Sequence, residues 1–189
     1  IGGGLKEPVL IGGVKQDFST YYTSVYSTTD GVTWTPTGNL PGARTHGSLV
    51  AHGTDLYWIG GINNVGTTVG TIYKSTDEGA NWSTCGQALG VAAQGGHAYS
   101  VGGFIFWVGG EAGGYYNFTQ QSGANPCTDA WTFDTNLPIS LARYSGTVFN
   151  GKIYVVAGET SLSVTQDDVY EGAVSAGNVT WTTYSNVLP

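Results

Sequence analysis

Arg44, His46, His97, Arg143 and Tyr144 are the side chains whose types could do chemistry. Guanidinium and imidazole groups beside a phenol can grip an anionic, hydroxyl-rich ligand such as an acidic sugar. The same residues can instead serve structure, by bonding backbone carbonyls between neighbouring units of a repeat. The three histidines, His46, His52 and His97, include no short-spaced pair of the kind that zinc prefers, so no metal site is expected. The adjacent acids Asp77-Glu78 and Asp167-Asp168 would point to opposite faces of a strand. They read as solvated turn acids and not as two carboxylates facing each other across a glycosidic bond. No Gly-Lys-Ser/Thr phosphate loop or Gly-x-Ser-x-Gly elbow occurs, and the glycine pairs lead into no helix, so no catalytic residue and no cofactor is expected.

The elements that must position these residues recur. Gly12-Gly13, Gly60-Gly61, Gly109-Gly110 and Ala157-Gly158 lie 48, 49 and 48 residues apart. Each step is followed by a tryptophan, 21 residues beyond its second glycine at Trp34, Trp82 and Trp131, and 23 at Trp181. A period near 50 marks a repeat β-architecture. In the second unit, first to fourth strands are expected over 45–51, 56–61, 70–75 and 81–84, joined by turns at 52–55 and 76–79 rich in Gly, Asp and Thr. The second strand, Leu56-Tyr57-Trp58-Ile59, is apolar throughout, as a strand buried on both faces should be. Phe104 to Val108 and Ile153 to Val156 are its counterparts.

Two resemblances follow. Leu40-Pro41-Gly42-Ala43-Arg44-Thr45-His46 with the later Gly60-Gly61, and Leu137-Pro138 to Arg143-Tyr144 with Ala157-Gly158, resemble kelch repeats, which form β-propeller blades. Ser75-Thr76-Asp77-Glu78-Gly79-Ala80-Asn81-Trp82 is similar to the Asp-box hairpin of sialidase-like propellers, and Ser27 to Trp34 repeats it with Asp30 one position late. The resemblance implies an all-β propeller of four-stranded kelch-like blades: one domain over 1–189, with blades near 1–40, 41–90, 91–138 and 139–189. It also implies that the innermost strands, with Arg44, His46, His97, Arg143 and Tyr144, line a channel. The Asp is expected to cap turn amides, with the Trp wedged into the blade. A sialidase site needs three arginines and a Tyr–Glu pair, and this chain has two arginines; a kelch-type copper-radical site finds no support in the placement of Tyr, His and Cys.

A shift of 48 sets Ile1 in the middle of a first strand, which leaves residues 1–5 as a partial innermost strand, and the end at 187–189 falls where a new unit would begin. Three readings stay open: part of a larger propeller, a small four-bladed ring, or ends completed by another copy.

The net charge of −7 with six scattered bases argues against a nucleic-acid partner, and no apolar run is long enough to span a bilayer. Cys85 and Cys127 fall on adjacent units, which allows a disulfide between blades. Asn81-Trp82-Ser83, Asn117-Phe118-Thr119 and Asn178-Val179-Thr180 are N-glycosylation sequons. Together these point to an extracellular or cell-surface protein. The expected function is a non-enzymatic structural or adhesive module, a glycosylated subunit of a surface assembly or filament whose partners are other copies or other surface proteins. The alternative is a carbohydrate-binding propeller, or a fragment of a larger propeller enzyme. Exposed tyrosines in loops such as Tyr115-Tyr116-Asn117-Phe118 suit either stacking on sugars or packing on protein.

Overall fold

The computed structural model describes residues 9–17, 19–161 and 164–185; the expected partial strand over 1–5 and the chain end at 187–189 lie outside them. Among the described residues every regular element is a strand. The first sheet holds β1 (Val9–Ile11), β2 (Ser24–Ser27) and β3 (Thr35–Asn39), and the second holds β4 (Ser48–His52), β5 (Asp55–Ile59), β6 (Thr71–Ser75) and β7 (Ser83–Ala88). The third is built from β8 (His97–Val101), β9 (Phe104–Val108), β10 (Thr119–Gln121) and β11 (Thr132–Asp134). A small hairpin, β14 (Glu159–Ser161) with β15 (Val164–Thr165), interrupts the fourth sheet, whose strands are β12 (Ser145–Phe149), β13 (Lys152–Val156), β16 (Val169–Ser175) and β17 (Asn178–Tyr184). All pairings are antiparallel and, apart from the inserted β14–β15 hairpin between β13 and β16, join chain neighbours, so each sheet is a meander. The strands of the second unit begin and end within a few residues of the expected bounds.

The period-2 alternation of the second strands decides how the sheets stack. Trp58 joins Ile11 and Val25 in one core between the first and second sheets, while Tyr57 and Ile59 face the other way into a core with Ile105 and Trp107 of the third. Phe106 and Val108 in turn meet Ile153, Val155 and Tyr170 of the fourth. β5 and β9 therefore lie between two sheets each, which is why Leu56–Ile59 and Phe104–Val108 are apolar throughout. Each such large apolar side chain contributes on the order of 1.5–3 kcal/mol when buried.

Among the described residues no further sheet covers the outer faces of the stack. Leu10 occupies the register of Trp58 and Trp107 but faces no preceding sheet among the described residues, and it is 57% exposed. The same geometry corrects one expectation. Trp82, Trp131 and Trp181 pack into the three cores between sheets, whereas Trp34 is 41% exposed because its sheet has no described neighbour on that side.

The outer hairpins are capped as expected in two units. Asp77 Oδ1 accepts from the Ser75 hydroxyl and the Asn81 amide, and Gly79 N–H donates to Ser75 Oγ. In the first unit Thr28 takes the serine's part, since Gly31 N–H donates to Thr28 Oγ1 while Asp30 caps the amides of Val32 and Thr33. The hydroxyl and the Asp thus both come one residue late, at Thr28 and Asp30, while Gly31 and Trp34 keep the repeat position of Gly79 and Trp82. These bonds hold the Asp30 carboxyl down at about 2. The fourth unit replaces the motif with a tight turn at Ala176-Gly177, both in the left-handed region at φ 49° and 82°.

Cys85 on β7 is bridged to Cys127, in the outer hairpin of the third sheet, as the repeat alignment predicts. The bond ties the second sheet to the third, alongside a bond from Gln87 N–H to the Cys127 carbonyl.

Candidate functional site

The candidate site forms where the chain segments enter the first strands. Single bridges pair Thr45 with Ile62, Gln94 with Glu111, and Ala142 with Glu159. The residue after each of Thr45, Gln94 and Ala142, namely His46, Gly95 and Arg143, has φ of 56°, 64° and 53°. These left-handed residues are linked from sheet to sheet: Gly95 N–H donates to the His46 carbonyl at 2.9 Å and Arg143 N–H to the Gly95 carbonyl at 2.8 Å. A left-handed backbone is uncommon outside glycine, so Arg143 and His46 hold it only because these bonds fix it.

The paired glycines provide a second set of ties. Gly13, Gly61 and Gly110 donate to the carbonyls of Arg44, Ala93 and Leu141 in the segment leading to the next sheet. A Cβ on Gly12, Gly60 or Gly109 would meet the same carbonyls at 2.5, 2.7 and 2.4 Å. Glycine is required there by close approach as well as by φ.

From this frame the Arg143 guanidinium reaches two acids. Its Nη2 donates to Glu111 Oε1 at 2.5 Å and its Nη1 to Glu159 Oε2 at 2.8 Å. Tyr115 completes the group, accepting from Arg143 Nη1 at 3.2 Å and donating to Glu159 Oε2 at 3.1 Å. Partial burial works against the guanidinium's charge, but the Glu159 bond and the Glu111 charge outweigh it and hold its pKa above the ordinary value. Partial burial and the bond to Glu159 push the Tyr115 phenol up. An open cavity of about 320 Å³ lies here, lined by Gln94, Glu111, Gly113, Gly114, Tyr115 and Arg143. Gln94 Oε1 is buried and has no hydrogen-bond partner.

The five expected channel residues do not form one cluster. Arg44 is buried, with its guanidinium carbon 4.9 Å from the centre of the Tyr73 ring and its Nη1 donating to the Ala43 carbonyl. It is a packing residue because the chain turns it inward, away from solvent. Tyr144 is also buried, donating to the Val108 carbonyl at 2.7 Å and accepting from His97 N–H at 3.1 Å. His97 Nε2 lies 3.0 Å from the Tyr144 carbonyl, and burial lowers the imidazole's pKa. His97 and Tyr144 thus splint the third sheet to the fourth. His46 is exposed, and Arg143 alone of the five enters the cavity.

Glu111, Glu159 and Gln94 were not singled out by spacing or type. The signal was present in the repeat itself: Val14, Ile62, Glu111 and Glu159 each directly follow a small-residue step. Two glutamates at the same repeat position, beside an arginine that precedes a first strand, mark a cluster only once the units are aligned.

No protein-family model matches the chain, and no curated protein matches it. Among solved structures, one described as the structure of YjhT is similar to this chain, with a TM-score of 0.73 at 18% identity, over 98% of this chain and 66% of that one. At that identity the likeness concerns the fold, and this chain spans about two-thirds of that chain's length.

Proposed function

We propose that this chain is a carbohydrate-binding module built from kelch-like propeller blades with Asp-box-like outer hairpins, and that its ligand occupies the cavity around Arg143. Meandering antiparallel sheets stacked face to face, three of them four-stranded, with glycine ties between them and a solved structure of similar fold, support the blade reading.

The observation that carries the binding reading is the convergence of Arg143, Glu111, Glu159 and Tyr115 on one open cavity at the entry to the first strands. Carboxylate oxygens, guanidinium donors and an aromatic face are the groups that hydrogen-bond and stack against a hydroxyl-rich ring. One guanidinium bridges both carboxylates, whereas glycoside hydrolysis sets an acid and a base on opposite sides of the scissile bond. The geometry therefore favours binding over turnover. Screening the full chain against an array of neutral oligosaccharides tests this. Binding that Arg143→Ala weakens at least tenfold is expected, and an array with no retained glycan would refute it.

A second reading, a structural or adhesive subunit at the cell surface, draws on the exposed apolar side chains Leu10 and Tyr184 and on the disulfide, of the kind that persists in an oxidising compartment. Sedimentation velocity distinguishes it, since that reading requires self-association in the micromolar range.

A further inference from the structure

We infer that the Arg143 cavity selects amine-bearing sugars over acidic ones, an inference that rests on the carbohydrate reading. An arginine alone would invite an anionic ligand, but Arg143 is already engaged by two carboxylates, which leaves the cluster with an excess of negative charge. The free hydrogen-bonding capacity has the same sign. Glu111 Oε2 and Glu159 Oε1 hold no hydrogen bond among the described residues, and Gln94 Oε1 is unpartnered. The groups left to meet a ligand are thus mainly acceptors, and they call for a donor-rich partner: hydroxyls and, best, an ammonium group. A carboxylated sugar would have to displace a glutamate from Arg143 or lie against two like charges. The chain's net charge of −7 reinforces the bias at longer range.

The test is calorimetric titration of the full chain, at low salt, with three trisaccharides of matched linkage: a glucosamine trimer with its amines protonated, its N-acetylated neutral counterpart, and a uronic-acid trimer. The amine is expected to bind tightest, by about threefold to tenfold over the neutral sugar, with the acid weakest. That preference should shrink in 0.5 M salt (about a 4–5 Å screening length). It should also disappear in the Glu111→Gln/Glu159→Gln double variant, whose integrity is checked by its unfolding curve. Equal binding of amine and neutral sugars, or tighter binding of the acid, overturns the selectivity while leaving the carbohydrate reading intact. Failure of all three to bind overturns both.

Discussion

His97 and Tyr144 show how residues with catalytic chemistry come to serve structure. Both are committed to backbone partners between the third and fourth sheets. Tyr144→Phe keeps the ring but removes the hydroxyl that joins the Val108 carbonyl to His97 N–H, at a cost of about 1–3 kcal/mol in urea unfolding. Burial lowers the pKa of His97 and His52 from 6.5 in the folded state, so the unfolded chain takes up protons first. Their contribution is complete above pH 6.5 and is lost as pH falls below it. The urea midpoint should therefore drop between pH 7.5 and pH 5, and His97→Gln should flatten the drop; a midpoint unchanged over that range would contradict the assignment. Of the candidate site, Arg143 was legible from its place before a first strand, and Tyr115 from its loop. Glu111 and Glu159 were not, because their meaning comes from contacts across sheets that no local pattern carries. Arg44 looked equivalent to Arg143, yet two residues separate them in repeat register, since Arg143 aligns with His46. That offset places one guanidinium in the core and the other in the cavity.

The small-residue step is the element on which the stack depends, and it behaves differently in the last unit. In the first three steps glycine admits a carbonyl of the next segment, while the fourth step carries Ala157, which holds a positive φ of 58°. Gly109→Ala is thus expected to destabilise the chain by about 1–3 kcal/mol or more, through backbone displacement at Leu141. Ala157→Gly should change stability by well under 1 kcal/mol, because relief of φ is offset by unfolded-chain entropy. Thermal unfolding of the two variants checks the contrast. The Cys85–Cys127 bridge closes a sequence separation of 42 residues, so Cys85→Ser with Cys127→Ser should cost roughly 3–4 kcal/mol in the chain-entropy account. These elements were largely readable in advance: period, glycine steps, apolar second strands and cysteine register all survive in the structure. The exposure of Trp34 was not, because a tryptophan's burial depends on the preceding sheet and not on its own hairpin.

Among the described residues, four sheets stacked in chain order leave one face open at Leu10 and Trp34 and another at Tyr184. In the propeller reading these faces are where neighbouring blades would pack, and the cavity at Arg143 lies at the seam between two covered blades, where its geometry is fixed from both sides. The site and the open faces are therefore separate surfaces, and a map of ligand contacts can tell them apart. The most direct measurement is amide chemical-shift mapping of the full chain titrated with a neutral oligosaccharide. The account predicts dose-dependent shifts at Glu111, Gly113, Gly114, Tyr115 and Arg143 that saturate together. Shifts confined to the Leu10–Trp34 or Tyr184 faces, or none at all, would contradict it.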